Sequence, residues 1–165
     1  MLDSDTLAKL LARALRNGGE YADAFVENRT TLTYRLQDGR IHDTGLAVTR
    51  GVGVRVVCGE AAGYGYSDDF SWAALERAAD AAALIARNGK TASQDVALRE
   101  RRVETFYDQE RDAPYDASRY VRLLERANVA ARAHDPRVSA VNARISDEVQ
   151  EVWIATSDGT LVHER

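Results

Sequence analysis

Apolar residues recur at helical spacing in three stretches of the chain. The first stretch predicts an amphipathic helix over residues 4–16, which Ser4 would cap and which the glycines after Asn17 would end. The second predicts a helix from Asp68 to Arg87, and the third a helix that ends before Pro136, because proline disfavours helical torsions in its predecessor. The apolar positions that define these helices are Leu7, Leu10, Leu11, Ala14 and Leu15; Trp72, Leu75, Ala78, Ala79, Ala82 and Ile85; and Tyr120, Leu123, Leu124, Ala127 and Ala131.

Between these helices the apolar period changes to two, which is typical of half-buried β-strands. Asp38-Gly39 predicts a tight hairpin between the first two strands, and a third strand is expected to begin beyond Gly45. The chain reverses at Gly59-Glu60, so we expect an antiparallel meander of four strands. Further strands near the carboxyl terminus are joined at Asp158-Gly159. The alternating apolar positions are Ala24, Val26, Leu32, Tyr34 and Leu36; Leu46, Val48, Val52, Val54, Val56 and Cys58; Tyr64 and Tyr66; Val141, Ala143 and Ile145; and Val152 and Ile154.

These elements predict an α+β protein in which antiparallel sheets pack against helices as a two-layer sandwich. We divide the chain into a helix–meander–helix domain at residues 1–89, a crossover linker at 90–116, and a third helix with the start of a second antiparallel segment at 117–165. The crossover shows little periodicity beyond one short strand expected at 103–107.

The last predicted hairpin is unfinished, because only six residues follow Asp158-Gly159. An unpaired edge strand is an aggregation liability that complete domains usually avoid. We therefore expect the chain to be cut from a longer protein. The alternative is a short terminal strand that simply ends the sheet.

Composition narrows the function classes. The chain is 45% hydrophobic and 29% charged with a net charge of -4, which is the make-up of a globular protein and disfavours nucleic acid as a partner. No apolar stretch is long enough to cross a membrane. The single cysteine, Cys58, excludes an intrachain disulfide, and its strand parity predicts a buried, inert thiol. The acidic amino terminus is unlike a secretory signal, so we expect a cytoplasmic protein.

Residues that could carry chemistry are few. None of the histidines stands at metal-binding spacing from another ligand, so no metal site is predicted; they are His42, His134 and His163. Gly51-Val52-Gly53 lies within a strand pattern, where glycine marks a bulge or a place where another backbone comes close. Asp68 and Asp69 precede a helix, which favours capping over acid–base catalysis.

Several segments, taken together, resemble the amino-terminal domain of the TldD/PmbA family in order and spacing. They are Tyr21-Ala22-Asp23, Leu36-Gln37-Asp38-Gly39, Arg50-Gly51-Val52-Gly53-Val54-Arg55, Gly59-Glu60, Gly63-Tyr64-Gly65-Tyr66-Ser67-Asp68, Asp135-Pro136-Arg137-Val138 and Ser157-Asp158-Gly159-Thr160-Leu161. The resemblance implies a cytoplasmic zinc metalloprotease built as a heterodimer of a metal-bearing TldD subunit and a metal-free TldE (PmbA) subunit. Such enzymes act on unfolded or modified peptides. The Gly-Val-Gly-Val-Arg and Tyr-Ser-Asp segments are more similar to the TldD type.

The family's catalytic motif is absent from this chain. In the TldD type a His-Glu-x-x-x-His helix and a further downstream ligand hold the zinc, and the Glu acts as general base. No such motif occurs between Met1 and Arg165. The resemblance therefore implies a part with no catalytic or metal-binding residue and no cofactor of its own. Zinc is expected in the full-length protein, and the implied partners are a downstream catalytic domain, a TldE/PmbA-like subunit and a peptide substrate.

We expect this part to guide peptide substrates and to support subunit and domain assembly. Arg55, Tyr64, Tyr66 and Asp68 are the candidates for peptide or interdomain contact, because an extended peptide could add as another strand beside them. A competing interpretation is that both tyrosines only cover the core face of the sheet. The alternative function is a protein-interaction module, or a stand-alone adaptor without protease activity.

Overall fold

The computed structural model describes residues 2–86, 95–101 and 116–165, which form three helices and six strands. These elements are α1 (Ser4–Leu15), β1 (Tyr21–Gln37), β2 (Arg40–Cys58), β3 (Ala61–Ser67), α2 (Trp72–Ala83, extended by a 3₁₀ turn at Leu84–Ala86), β4 (Arg99–Glu100), α3 (Ala117–His134), β5 (Asn142–Thr156) and β6 (Thr160–Glu164). The strands form one open sheet in the order β3-β2-β1-β5-β6-β4. The β2–β3 and β5–β6 pairs are antiparallel and the β4–β6 pair is parallel. The predicted α+β class is confirmed, whereas the strand expected at 103–107 lies outside the described residues.

The chain groups into two compact units. Unit 1 takes its residues from Met1–Asn28, Thr49–Tyr107 and Gln150–Arg165, and unit 2 takes its residues from Arg29–Val48 and Asp108–Val149. Strands β1, β2 and β5 therefore contribute residues to both units. No helix of the described ranges is both long enough and apolar enough to cross a membrane.

Unit 1 is built on a sheet covered by α1 and α2. The apolar stripes of both helices pack against inward-facing strand residues, and this core comprises Leu7, Leu10, Leu11, Ala14, Leu15, Ala22, Ala24, Val26, Val52, Val54, Val56, Leu75, Ala79, Ala82, Trp153 and Ala155. The helices are also joined by charge, because Arg13 Nε lies 2.7 Å from Asp80 Oδ1 and Arg13 Nη1 lies 3.0 Å from Glu76 Oε1. Arg16 pairs with the same Asp80 oxygen at 3.0 Å. One carboxylate on α2 thus pairs with the guanidinium groups of Arg13 in α1 and of Arg16 directly after it.

Unit 2 has its own small core under α3. Leu124 is the buried anchor of this helix and packs with Tyr34 and Leu36 of β1. The Tyr34 and Tyr120 rings stack with their centroids 5.5 Å apart, and the Tyr120 hydroxyl donates a hydrogen bond to Asp147. The helix ends at His134, so the stop expected before Pro136 is confirmed.

The predicted hairpin turns are confirmed. Asp38 and Gly39 have φ angles of 47° and 81°, which are the left-handed torsions of a tight type I′ connection. Gly59 and Gly159 also have positive φ, at 57° and 94°. Strand β6, which follows Gly159, is paired by β4 at two positions, so the expected unpaired edge is wrong there.

Three predicted boundaries are wrong. The cap of α1 is Asp3, whose carboxylate accepts a hydrogen bond from the backbone N–H of Thr6 at 2.7 Å, rather than Ser4. Helix α2 begins at Trp72 instead of Asp68. Gly45 does not interrupt β2, so the meander has three strands and not four, because an isolated glycine can remain in extended backbone within a paired strand.

Three predictions of burial are also wrong. Leu46 and Val48 are 68% and 62% exposed, because no described helix covers this part of β2. Cys58 is half-buried rather than buried, since it stands at the end of β2 beside the turn. In β5 the inward-facing residues are Trp153 and Ala155, so the aliphatic Val152 and Ile154 lie on the other face of the strand.

Candidate functional site

Strand β3 presents glycines to one face and tyrosines to the other. A Cβ atom on Gly65 would overlap the carbonyl oxygen of Ala78 in α2 and lie 2.7 Å from its carbonyl carbon. A Cβ on Gly63 would overlap the Ala82 carbonyl oxygen and lie 3.0 Å from Cβ of Ile85. Only glycine lets the helix backbone approach the strand this closely. Because side chains alternate along a strand, the intervening tyrosines must point away from α2.

The two tyrosines therefore lie on the open face of the unit 1 sheet. Tyr64 and Tyr66 are 68% and 66% exposed, so the interpretation that they cover the core face is wrong. The turn at Gly59-Glu60 sets a register in which Tyr64 stands opposite Arg55 and Tyr66 opposite Gly53. A slip of one residue would turn the tyrosines into the helix, so packing against α2 specifies the register.

A groove of about 470 Å³ crosses this open face over β1, β2 and β3. Phe25, which is 41% exposed, forms one wall. The floor is bare at Gly53, where a Cβ would have no neighbouring atom nearer than 4.0 Å, whereas the Tyr66 ring lies over Gly51. The lining residues are Asp23, Phe25, Gly53, Val54, Arg55, Tyr64, Gly65 and Tyr66. The groove is thus an aromatic channel with open space above a glycine.

An ion pair occupies one side of the groove. Arg55 donates from Nη2 and Nε to Oδ2 of Asp23, at 2.6 and 2.7 Å. This hydrogen bond, the Asp23 charge and a hydrogen bond with Tyr64 raise the pKa of Arg55. Next to the pair, burial and the Asp23 charge raise the pKa of Tyr21. Since Asp23 already balances the Arg55 charge, the groove suits a neutral, partly apolar ligand better than a free anion.

The structure brings together three of the four predicted contact residues. Arg55, Tyr64 and Tyr66 line the groove. Asp68 is exposed in the connection from β3 to α2 and does not line it. Sequence reasoning missed Asp23 and Phe25, although their alternation with buried alanines on β1 was a usable signal.

The second aspartate of the predicted pair has a structural role. Asp69 accepts hydrogen bonds from the backbone N–H of Ser71 at 2.8 Å and from its hydroxyl at 2.9 Å. These bonds lower the pKa of Asp69. Ser71 is the N-cap residue of α2, so Asp69 holds the residue at which the helix begins.

Metal ligands do not converge in the described residues. No group of three or more His, Cys, Asp or Glu side chains in these ranges could hold an ion. His163 instead stacks on the Trp153 indole with ring centroids 4.5 Å apart. The donors present here do not fit the zinc site that the resemblance implies, because such a site needs three protein ligands at about 2 Å from the metal.

A second groove, in unit 2, is more polar. It has a volume of about 350 Å³ and exposes Arg35, His42 and Arg144. None of the described residues that line it carries a carboxylate, and its polar side chains are all exposed. This second groove therefore carries the positive charges of Arg35 and Arg144 on exposed side chains.

Comparison with known proteins places these features in a family context. Residues 22–86 match the family model described as PmbA/TldA metallopeptidase domain 1, and residues 110–165 match the PmbA/TldA metallopeptidase central domain. The chain is 30% identical over 162 residues to the metalloprotease TldD homolog of Haemophilus influenzae, covering 97% of this chain and 34% of that protein. It is 29% identical over 147 residues to the TldD homolog of Buchnera aphidicola subsp. Acyrthosiphon pisum, covering 87% and 30%. The chain thus spans about a third of the length of these curated relatives.

The fold is similar to that of solved structures. The crystal structure of TldE from Thermococcus kodakarensis matches with a TM-score of 0.73, covering 96% of this chain and 36% of that chain. The sequences are 15% identical, so this likeness supports the fold alone.

Proposed function

The chain belongs to the PmbA/TldA metallopeptidase family, and on that premise we propose that it is the amino-terminal, non-catalytic part of a TldD-type zinc metalloprotease. Its role is to guide peptides and to support assembly with the catalytic part. The observation that carries this proposal is the aromatic groove on the open sheet face of unit 1.

The groove has the features needed to hold an extended peptide. A side chain of the peptide occupies the space above Gly53, between Phe25 and Tyr66, where it is removed from water by aromatic surface. Arg55 keeps further N–H groups beyond the two bonded to Asp23, and these can donate to a peptide carbonyl. The groove therefore combines apolar contact with one oriented donor, which is a common design of peptide sites.

The remaining parts of the proposal concern the whole enzyme. A downstream catalytic domain supplies the zinc ligands, and a TldE/PmbA-like subunit completes the assembly. The protein acts in the cytoplasm. Asp68, which lies outside the groove, is assigned to interdomain contact.

Titration of single-residue variants tests the peptide-guiding role. The probe is a fluorescein-labelled, unstructured peptide rich in Val and Phe, bound to the 165-residue chain and followed by anisotropy. Tyr64→Ala and Tyr66→Ala are each expected to weaken binding by about three- to tenfold, since each removes an aromatic contact. Leu46→Ala is the control, because Leu46 is an exposed apolar residue that does not line the groove. Equal affinity in a folded Tyr64→Ala variant would refute the role.

An interaction module is the second candidate function. Exposed apolar residues in unit 2 favour it: Leu46, Val48 and Val129 are 68%, 62% and 65% exposed. In this case the chain pairs with a TldE-like subunit, or with itself, and acts without protease activity. Light scattering of the chain alone and mixed with such a subunit tests it. If the chain is monomeric alone and its mass does not change when the subunit is added, this function is excluded.

A further inference from the structure

Among the described residues, the backbone groups on the outer edge of β3 pair with no other strand. Strand β3 ends the sheet, and β2 is its partner within the described ranges. The two-residue turn at Gly59-Glu60 places Cys58 opposite Ala61, and such turns close on a hydrogen-bonded pair. Because the direction of hydrogen bonding alternates along an antiparallel strand, every second residue of β3 then directs its N–H and C=O outward. These residues are Ala62, Tyr64 and Tyr66.

In the part of the chain that the structure describes, this edge lacks the usual protection against strand pairing. Natural edge strands commonly carry charged residues or proline, or are covered by another element. Strand β3 reads Ala-Ala-Gly-Tyr-Gly-Tyr-Ser and contains neither charge nor proline. Its outward-facing backbone is therefore a template for another strand.

Apolar side chains flank the edge on both sides of the sheet. Tyr64 and Tyr66 stand on the open side. On the helix side, Ile85 packs against Gly63 and remains 38% exposed. A strand added to β3 would therefore bury apolar surface on each of its faces, which favours binding beyond the backbone hydrogen bonds.

Acidic residues bracket the uncharged strand. Glu60 precedes β3 and Asp68 follows it, and both are exposed. Neither forms an ion pair with another residue in the described parts of the chain. The edge thus presents a neutral centre with a negative charge at each end.

We propose that the free edge of β3 binds, by strand addition, an extended peptide with an uncharged centre and a basic residue near each end. This inference rests on the proposed peptide-guiding function and names the class of peptide. A second copy of β3 fits less well. In an antiparallel pair centred on Tyr64, Glu60 of one copy would stand opposite Asp68 of the other, and like charges opposite each other are destabilising.

Paired peptides test the charge preference on the 165-residue chain. One is Lys-Thr-Val-Thr-Val-Thr-Lys and the other has Glu at both ends, each labelled for anisotropy at low salt. The Lys-ended peptide is expected to bind about tenfold more tightly than the Glu-ended one. Its two lysines are attracted by Glu60 and Asp68, whereas two glutamates would be repelled by them. The double variant Glu60→Lys with Asp68→Lys should reverse this preference, and both sites are exposed, so the fold is retained. Equal affinity of the two peptides for the unmodified chain would overturn the inference.

N-methylated peptides test the strand addition itself. Methylation of alternate residues of the Lys-ended peptide blocks the amides on one edge only, so two complementary peptides can be made. The peptide methylated on the edge that faces β3 should lose binding, and the peptide methylated on the opposite edge should keep it. The reason is that a strand forms hydrogen bonds to its neighbour through one edge only. If both bind equally while Tyr64→Ala still weakens them, the groove function stands and strand addition is wrong. If neither these peptides nor the Val- and Phe-rich probe binds, both proposals fall.

Discussion

Arg55 and Asp23 face each other across neighbouring strands, with Nη2 and Nε of the arginine 2.6 and 2.7 Å from one carboxylate oxygen. The Asp23 side chain is 18% exposed and that of Arg55 is 43% exposed. A pair this accessible to water contributes little net stability, and its larger effect is to orient the guanidinium beside Tyr64. The groove therefore has one fixed polar side.

Breaking this pair should affect binding more than folding. Asp23→Asn is expected to lower the free energy of unfolding by about 1 kcal/mol. It should also weaken binding of the Val- and Phe-rich peptide severalfold, because Arg55 is no longer held in place. Urea denaturation and anisotropy measure the two effects. Arg55→Lys is the matched variant, since it keeps the charge and loses the planar fork of donors. Unchanged peptide affinity in Asp23→Asn would show that the orientation of Arg55 is irrelevant.

Two glycines of the same region should respond differently to alanine. Gly65→Ala places a methyl group against the Ala78 carbonyl and is expected to cost about 2–4 kcal/mol, because helix backbone must move. Gly53→Ala is the control, with no atom nearer than 4.0 Å to the new Cβ, and should change stability by less than about 1 kcal/mol. Urea denaturation of the two variants and of the unmodified chain measures the difference, and Gly65→Ala should have the lower midpoint. Similar midpoints would mean that α2 does not pack closely on β3.

The same strand shows what sequence reasoning can and cannot supply. Alternation at Tyr64 and Tyr66 correctly indicates a strand, and Gly59 correctly marks the reversal before it. Which face is buried depends on α2, whose carbonyls leave room only for the glycines. Aromatic residues usually pack inward, so a rule based on residue type selects the wrong face here.

Acid should weaken unit 1 through Asp80. The hydrogen bond from Arg13, followed by the charges of Arg13 and Arg16, lowers the pKa of Asp80 below its usual value of 3.8. A lowered pKa in the folded state stabilises the protein above the unfolded value, and this stability is lost as the pH falls through the folded value. The melting temperature should therefore fall between about pH 5 and about pH 2 less steeply in Asp80→Asn than in the unmodified chain.

The partner variant checks that prediction. Arg13→Met removes the main cause of the lowered pKa and should flatten the same pH dependence. A melting profile of Asp80→Asn that parallels the unmodified chain below pH 5 would assign the acid sensitivity to other carboxylates.

Alanine substitution of two adjacent leucines in α3 distinguishes the effect of packing from that of helix propensity, since both substitutions change propensity equally. Leu124 is 1% exposed and anchors the unit 2 core, whereas Leu123 is 40% exposed. Leu124→Ala should cost about 2–4 kcal/mol through lost burial and a cavity, and Leu123→Ala less than about 1 kcal/mol. Thermal unfolding compares them. Equal losses would contradict the orientation of the helix.

The 165-residue chain should not retain zinc. Its described residues offer no group of three ligands, so dialysis after loading should leave well under one ion per chain, as measured by elemental analysis. Peptide hydrolysis by this chain is likewise not expected. One tightly held ion per chain would contradict the proposed division between guiding and catalytic parts.

Other differences between expectation and structure have equally local causes. Ser4 and Asp3 are both good caps, and the choice depends on which side chain reaches the N–H of Thr6. In β5, large and small apolar residues occupy both faces, so Trp153 and Ala155 are buried although Val152 and Ile154 have the same period. The sequence thus predicts elements and turns well, while the face that is buried depends on the element that covers it.

Strand β4 contains only Arg99–Glu100, yet it closes a long loop in the chain. The backbone N–H of Arg99 donates to the Gly159 carbonyl at 2.7 Å, and that of Arg101 donates to the Leu161 carbonyl at 2.8 Å. Contacts between segments so distant in sequence form slowly, because the entropy of the intervening chain is lost first. We therefore expect the β4–β6 pairing to form late in the folding of unit 1, after the local hairpins.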